Sequence, residues 1–231
     1  MFIPNQILNI NANDRVLEIG PGAFPHPRAN VLLDKMFDED EASAQRGHLP
    51  AVHTGKELVY YDGDRFPFDD KSFDYVICSH VLEHVENVPS FLNELTRVAS
   101  RGYLEFPTVL YEYLYNFRVH QNLIHYADGE LRWLSKKKLP FDEFLPVQTF
   151  FHNSLGAGYD EIVVSMVHQM FEGFEWHTSI PARESNDLRE MCPDASKFHF
   201  PPNPLKPPPT RSLELIKELL RRASRRLLGR S

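Results

Sequence analysis

Arg15-Val16-Leu17-Glu18-Ile19-Gly20-Pro21-Gly22 is the stretch that decides the fold. An apolar run of strand length ends abruptly on two glycines, so a buried strand gives way to a loop where backbone can approach a ligand without an intervening Cβ. The same grammar repeats outward from it. Ala29-Asn30-Val31-Leu32-Leu33 ends at Asp34, and Leu58-Val59-Tyr60-Tyr61 ends at Asp62-Gly63. Phe73-Asp74-Tyr75-Val76-Ile77-Cys78 ends at Ser79-His80, and Gly102-Tyr103-Leu104-Glu105-Phe106 stops at Pro107. Between these last two runs Pro89 opens a helical pattern with Phe91, Leu92, Leu95 and Val98 on one face. Strands that are apolar throughout are covered on both faces, and their alternation with helices makes an α/β fold with a parallel sheet. In such sheets ligands bind beyond the carboxyl ends of the strands, which is where Gly20, Asp34, Asp62 and Ser79 fall.

Composition sets the outer bounds. The 231 residues suit one α/β domain with an insertion or tail, large enough to bury a core without disulfides or metals. Only Cys78 and Cys192 are present, too few for a disulfide framework, and Cys78 sits in an apolar run as a buried thiol would. Together with the lack of a signal peptide or a membrane-spanning run, this points to a cytoplasmic protein. The formal net charge of −7 is unevenly placed: Thr210–Ser231 carries +5, leaving −12 on residues 1–209. So acidic a body argues against nucleic acid as a partner, because phosphate binding needs a basic face.

Three sections follow. Residues 1–200 form the main domain, with a cofactor-type half at 14–107 and an aromatic-rich half at 108–200. Residues 201–209 hold six prolines in nine, a stiff extended linker. Residues 210–231 have an apolar stripe with arginines on the other faces, a basic amphipathic helix. It reads as a solvated terminal helix, or as a peripheral contact with an anionic membrane surface or a partner.

Asp34 at a strand end is placed to accept hydrogen bonds from a diol, although strand-end aspartates are also common in solvated loops. Asp62-Gly63 offers a carboxylate for an exocyclic amine and a free backbone N–H for a ring nitrogen, although Asp-Gly is equally a frequent turn pair. The pieces become specific only in combination. Val16-Leu-Glu18-Ile-Gly20-Pro-Gly22, Leu33-Asp34, Phe66-Pro67-Phe68, Ser72-Phe73-Asp74 and Val81-Leu82-Glu83-His84-Val85 stand in order over the first half of the chain. Taken together they resemble the methyltransferase-domain family of class I S-adenosylmethionine-dependent enzymes.

That resemblance implies a Rossmann-like sheet, mostly parallel with an antiparallel end. It implies S-adenosylmethionine as cofactor, with Glu18, Gly20 and Gly22 at the methionine moiety, Asp34 at the ribose, Asp62 and Gly63 at the adenine, and Ser79 or His80 at the amino end. The absent third glycine of a dinucleotide fingerprint fits a cofactor without a pyrophosphate and speaks against a nicotinamide dehydrogenase. Two departures stand out. Pro21, Pro25 and Pro27 crowd the residues between Gly20 and Asp34, so the first crossover is expected as a turn or loop in place of a helix. The fifth strand is entered by the short Ala99-Ser100-Arg101-Gly102.

His80-Val-Leu-Glu83-His84 also fits the inverted zinc-peptidase pattern, in which two histidines on one helical face share a metal and the glutamate is the base. The strand end at His80 makes that helix unfavourable, and no metal ligand is assigned. In the second half Asn122–Leu134 reads as an inserted hairpin turning at Asp128-Gly129. A hydroxyl acceptor needs a base near neutral pH, so His120 is the first catalytic candidate, followed by His80 and His125; a carboxylate acceptor needs none. The expected activity is methyl transfer from S-adenosylmethionine to an oxygen or nitrogen of a small-molecule or glycan acceptor. A non-catalytic, cofactor-binding regulator is the alternative.

Overall fold

The computed structural model describes residues 1–36, 55–194 and 196. Nine strands are defined: β1 Val16–Ile19, β2 Val31–Lys35, β3 Glu57–Tyr61, β4 Tyr75–Ser79, β5 Arg101–Pro107, β6 Asn122–Ala127, β7 Glu130–Ser135, β8 Phe171–His177 and β9 Ala182–Glu184. The principal helices are α1 Val88–Val98, α2 Val109–Tyr115 and α3 Leu145–Gly156. One six-stranded sheet runs in the order β3-β2-β1-β4-β5-β8, parallel except for β8, which pairs antiparallel with β5. A strand order that reverses between β1 and β4 is a doubly wound, Rossmann-like arrangement, and it opens a crevice at the carboxyl ends there.

β1, β2 and β4 are buried almost to the last residue, as their mainly apolar character requires. Phe91, Leu92, Leu95 and Val98 of α1 join Leu17, Ile19, Leu33 and Val76 in the main core. Each such side chain contributes about 1.5–3 kcal/mol when fully buried. The Asn87 side chain accepts the Ser90 N–H at 3.1 Å, and Pro89 occupies the first turn where no amide partner is needed. Arg97 in the last turn reaches the Phe66 and Phe68 carbonyls at 3.0 and 2.7 Å, and Glu94 accepts the Phe66 N–H. The Phe66-Pro67-Phe68 bend is thereby tied to α1, with the Phe66 ring edge-on to Tyr61 and Phe91.

Residues 20–30 contain turns and no helix, as the three prolines dictate. Lys56 Nζ fastens this loop through the carbonyls of His26, Pro27 and Ala29. β2 begins at Val31 and not at Ala29, because the Asn30 carboxamide oxygen is turned back to accept the Val16 N–H. At its other end the pairing with β3 continues through Lys35, so Asp34 lies within β2, opposite Tyr60, and not just beyond the strand. The hairpin forms as expected: Asp128 and Gly129 have φ of 55° and 79°, the left-handed pair that suits a two-residue connection. It stands apart from the main sheet, in a three-stranded sheet β6-β7-β9. Cys78 is buried and Cys192 exposed, both free thiols. Among the described residues no helix is long and apolar enough to cross a membrane. The linker at 201–209 and the helix expected at 210–231 lie outside the described residues.

Candidate active site

Parallel register brings the strand ends together. Ile19 pairs with Leu33 on one side and Cys78 on the other, so Gly20, Asp34 and Ser79 emerge side by side along one edge. Lys35 pairs with Tyr61, placing Asp62 and Gly63 at the next position along the same edge. Gly20 has φ +61°, and its N–H donates to the Leu33 carbonyl at 2.9 Å. A Cβ there would lie 2.5 Å from Val81 Cγ2, so only glycine fits. Gly22 (φ +57°) faces open space, and Gly63 (φ +108°) lies against Lys35. Asp34 is 7% exposed, whereas Asp62 is exposed.

Glu18, inside β1, is the unusual group of this half. Burial pushes its pKa up to about 7, against the opposing effect of the His26 N–H that it accepts at 2.7 Å. A carboxylate raised in this way favours a cation beside it.

A family model described as a methyltransferase domain matches residues 32–105. By this match residues 32–105 belong to a methyltransferase domain. A curated relative, the bifunctional methionine biosynthesis protein MetXA/MetW of Rhodopirellula baltica, is 36% identical over 89 residues, which is 38% of this chain but 14% of that protein. The S-adenosylmethionine-dependent methyltransferase of Mesorhizobium loti is similar over 71% of this chain and 90% of its own, at 16% identity and a TM-score of 0.39. A SAM-dependent methyltransferase of Aquifex aeolicus is similar over 41% of this chain and 57% of its own, at 17% identity and a TM-score of 0.29.

Beyond β4 the methyltransferase domain runs into a buried polar cluster. His80 has φ +57° and is followed by a single 3-10 turn, Leu82–His84. The helical face required by the zinc-peptidase pattern is therefore not formed. The His80 ring lies between two fully buried carboxylates, with Nε2 3.0 Å from Glu105 and Nδ1 3.3 Å from Glu83. Burial lowers its pKa, but the two carboxylates more than reverse that and raise it, which disfavours His80 as a proton acceptor. Glu105 also accepts from the Phe2 and Ile3 amides, the Ser79 hydroxyl and the Tyr103 hydroxyl.

His120 is at the other end of the cluster. Its Nδ1 pairs with Glu112, a fully buried carboxylate that also holds Lys136 Nζ at 2.9 Å. Facing it is His84, ring centroids 4.5 Å apart and nearly perpendicular, with Nδ1 3.2 Å from the Val119 carbonyl. Burial, with His120 nearby, pushes the His84 pKa down to about 4, so this ring is neutral. His125, the third histidine candidate, lies on β6 with Nδ1 on Glu172 at 2.9 Å, away from the other two.

Sequence reasoning thus located the histidines but missed the carboxylates that orient them. The signal was present in Glu105 and Glu112, single charges inside apolar and aromatic runs (Tyr103-Leu-Glu-Phe and Leu110-Tyr-Glu-Tyr), where a charge has to find a partner.

Proposed function

We propose that this chain transfers a methyl group from S-adenosylmethionine to an oxygen or nitrogen of a small acceptor, a metabolite or glycan unit. The observation that carries the reading is the carboxyl edge of the sheet: left-handed glycines at 20 and 22, the buried high-pKa Glu18 and the strand-end Asp34 side by side. These residues fit the cofactor. Gly20 and Gly22 give room for the methionine chain, Glu18 supplies the counter-charge for its ammonium, Asp34 suits a ribose diol, and Asp62 with Gly63 suits the adenine edge. When bound, the cofactor supplies an electrophilic methyl group on a sulfonium, which needs little activation. What the protein adds is orientation, exclusion of water and a means of taking the acceptor's proton.

Of the three histidine candidates, His120 has the arrangement suited to that last role. Its Nδ1 is fixed by a buried carboxylate, as in other oriented imidazole bases, which leaves Nε2 for another partner. The acidic body favours a neutral or cationic acceptor over nucleic acid, and residues 210–231 are a candidate contact with an anionic surface.

Calorimetry with S-adenosylhomocysteine tests the reading directly. One site per chain is expected, and absence of binding to it and to S-adenosylmethionine would reject enzyme and regulator together. Binding without turnover on a broad acceptor panel favours the regulator. The affinity also carries a pH signature. Since ligand ammonium pairs with ionised Glu18, binding should tighten as pH rises from about 5 to 7 and then level off, with a proton released on binding in that range. Glu18→Gln should flatten this profile.

A further inference from the structure

The three side chains at the centre of the polar cluster offer a ligand set that methyl transfer does not require. Glu83, His84 and His120 each present one donor atom, all within 4.8 Å of one another. Both carboxylate oxygens of Glu83 are buried and make no hydrogen bond, with His80 Nδ1 3.3 Å from Oε1 as their neighbour. The two imidazoles are oriented alike. A carbonyl oxygen and a carboxylate can only accept, so the Nδ1 of His84 toward Val119 and the Nδ1 of His120 toward Glu112 are the protonated nitrogens. In the neutral ring Nε2 is then the nitrogen left for another partner. Imidazoles whose outer N–H is held by a carbonyl or a carboxylate are what surrounds a protein-bound transition metal.

We propose that Glu83, His84 and His120 form a site for one divalent transition metal, zinc by preference, bound through the two Nε2 atoms and a Glu83 oxygen. Two nitrogens and one oxygen suit zinc and its neighbours better than magnesium or calcium, which prefer oxygen ligands. Donors about 2.0–2.1 Å from a tetrahedral ion lie about 3.4 Å apart, so small side-chain rotations close the set around the ion. Around these ligands, Glu112 (itself on Lys136) holds His120, Val119 holds His84 and His80 supports Glu83. Three protein ligands leave a fourth position open, and His84 and His120 are only partly buried, so that position can be reached. If the chain methylates a hydroxyl, a reading that rests on the function proposed above, this open position would take the acceptor oxygen and lower its pKa, so that its proton passes to solvent water as the methyl–sulfur bond breaks and the methyl–oxygen bond forms. His120 would then act through the metal and would not be the base itself.

Chelator-stripped full-length chain titrated with zinc, with cobalt as a spectroscopic substitute, tests the site without any methyl transfer. One ion per chain is expected, and the cobalt form should show the intense visible bands of a four-coordinate centre. His120→Ala and His84→Ala should each weaken zinc at least 100-fold. Glu112→Gln, which touches no metal, should weaken it about 10–100-fold by releasing His120. His177→Ala, far from the cluster, should leave it unchanged. Circular dichroism on each variant separates lost binding from lost folding, and Glu83→Gln, which keeps side-chain volume, is the second variant should either alanine unfold. Zinc weaker than about 100 µM, or binding that survives the His84→Ala/His120→Ala double variant, would overturn the proposal. Homocysteine-type cofactor binding that persists while zinc fails would do so without touching the methyl-transfer reading.

Discussion

Glu105→Ala is expected to produce the largest loss of stability of any single substitution in the sheet, about 3–5 kcal/mol, because it removes one partner of a buried charge pair. Five donors converge on this carboxylate: two backbone amides from Phe2 and Ile3, the hydroxyls of Ser79 and Tyr103, and His80 Nε2. Glu105 is wholly buried, and the buried Ile3 amide in particular would be left unsatisfied without it. Glu105→Gln keeps the volume but cannot balance the His80 charge and should fall between the two. A pH series sharpens the test. Burial raises the Glu105 pKa, but His80 and the amides outweigh that and hold it at about 2, below its ordinary 4.5. Its contribution is therefore full above about pH 4.5 and fades as pH falls toward 2. His80 is raised, so its share is full below 6.5 and fades as pH climbs through its higher folded value. Thermal melts of the wild type should show both limbs. Those of Glu105→Ala should lose most of the acid one, and an unchanged acid limb would contradict this account.

The second large effect is at Gly20. Alanine there has to adopt φ +61°, costing about 1–2 kcal/mol, and its Cβ would lie 2.5 Å from Val81 Cγ2. Valine is stiff at χ1 and cannot swing aside, so overpacking adds about 1–3 kcal/mol. Gly20→Ala is expected to abolish S-adenosylhomocysteine binding, because the loop that carries it has to move from the edge. The companion Val81→Ala separates the two causes. In the double variant the steric part should be relieved while the backbone part remains, so denaturation should recover roughly half the lost stability. Full recovery would mean that the left-handed backbone at position 20 costs nothing.

The first five strands were legible because each is a short, mainly apolar run ending on a turn residue, and β1, β2 and β4 are buried on both faces. The proline-crowded crossover was legible for the opposite reason, since Pro21, Pro25 and Pro27 forbid a helix whatever surrounds them. β8 was not readable. Phe171-Glu-Gly-Phe-Glu-Trp has no clean alternation, because Gly173 sits under the Tyr103 ring and hydroxyl and so has no side chain to show its face. β9 is three residues long and takes its place only by pairing with β7. At the candidate site the sequence displayed the residue types but not their pairings. His120 lies eight residues from Glu112 yet faces His84, which precedes β5 in the chain, and Glu105 meets amides more than a hundred positions earlier. Contacts of that range are written in the topology and have no local periodicity.

The return of β8 to β5 makes residues 108–170 an excursion whose two ends meet, Pro107 opposite Phe171. Such a closed loop is a natural unit of exchange, since its contents can be replaced while the ladder on either side keeps its register. Here the unit has a latch: β9, beyond β8, pairs with β7 inside the excursion through Leu131, Arg132 and Trp133. Domain grafting between related chains would therefore have to cut after Glu184. A chimera joined directly after β8 would leave one edge of the transplanted sheet without its strand.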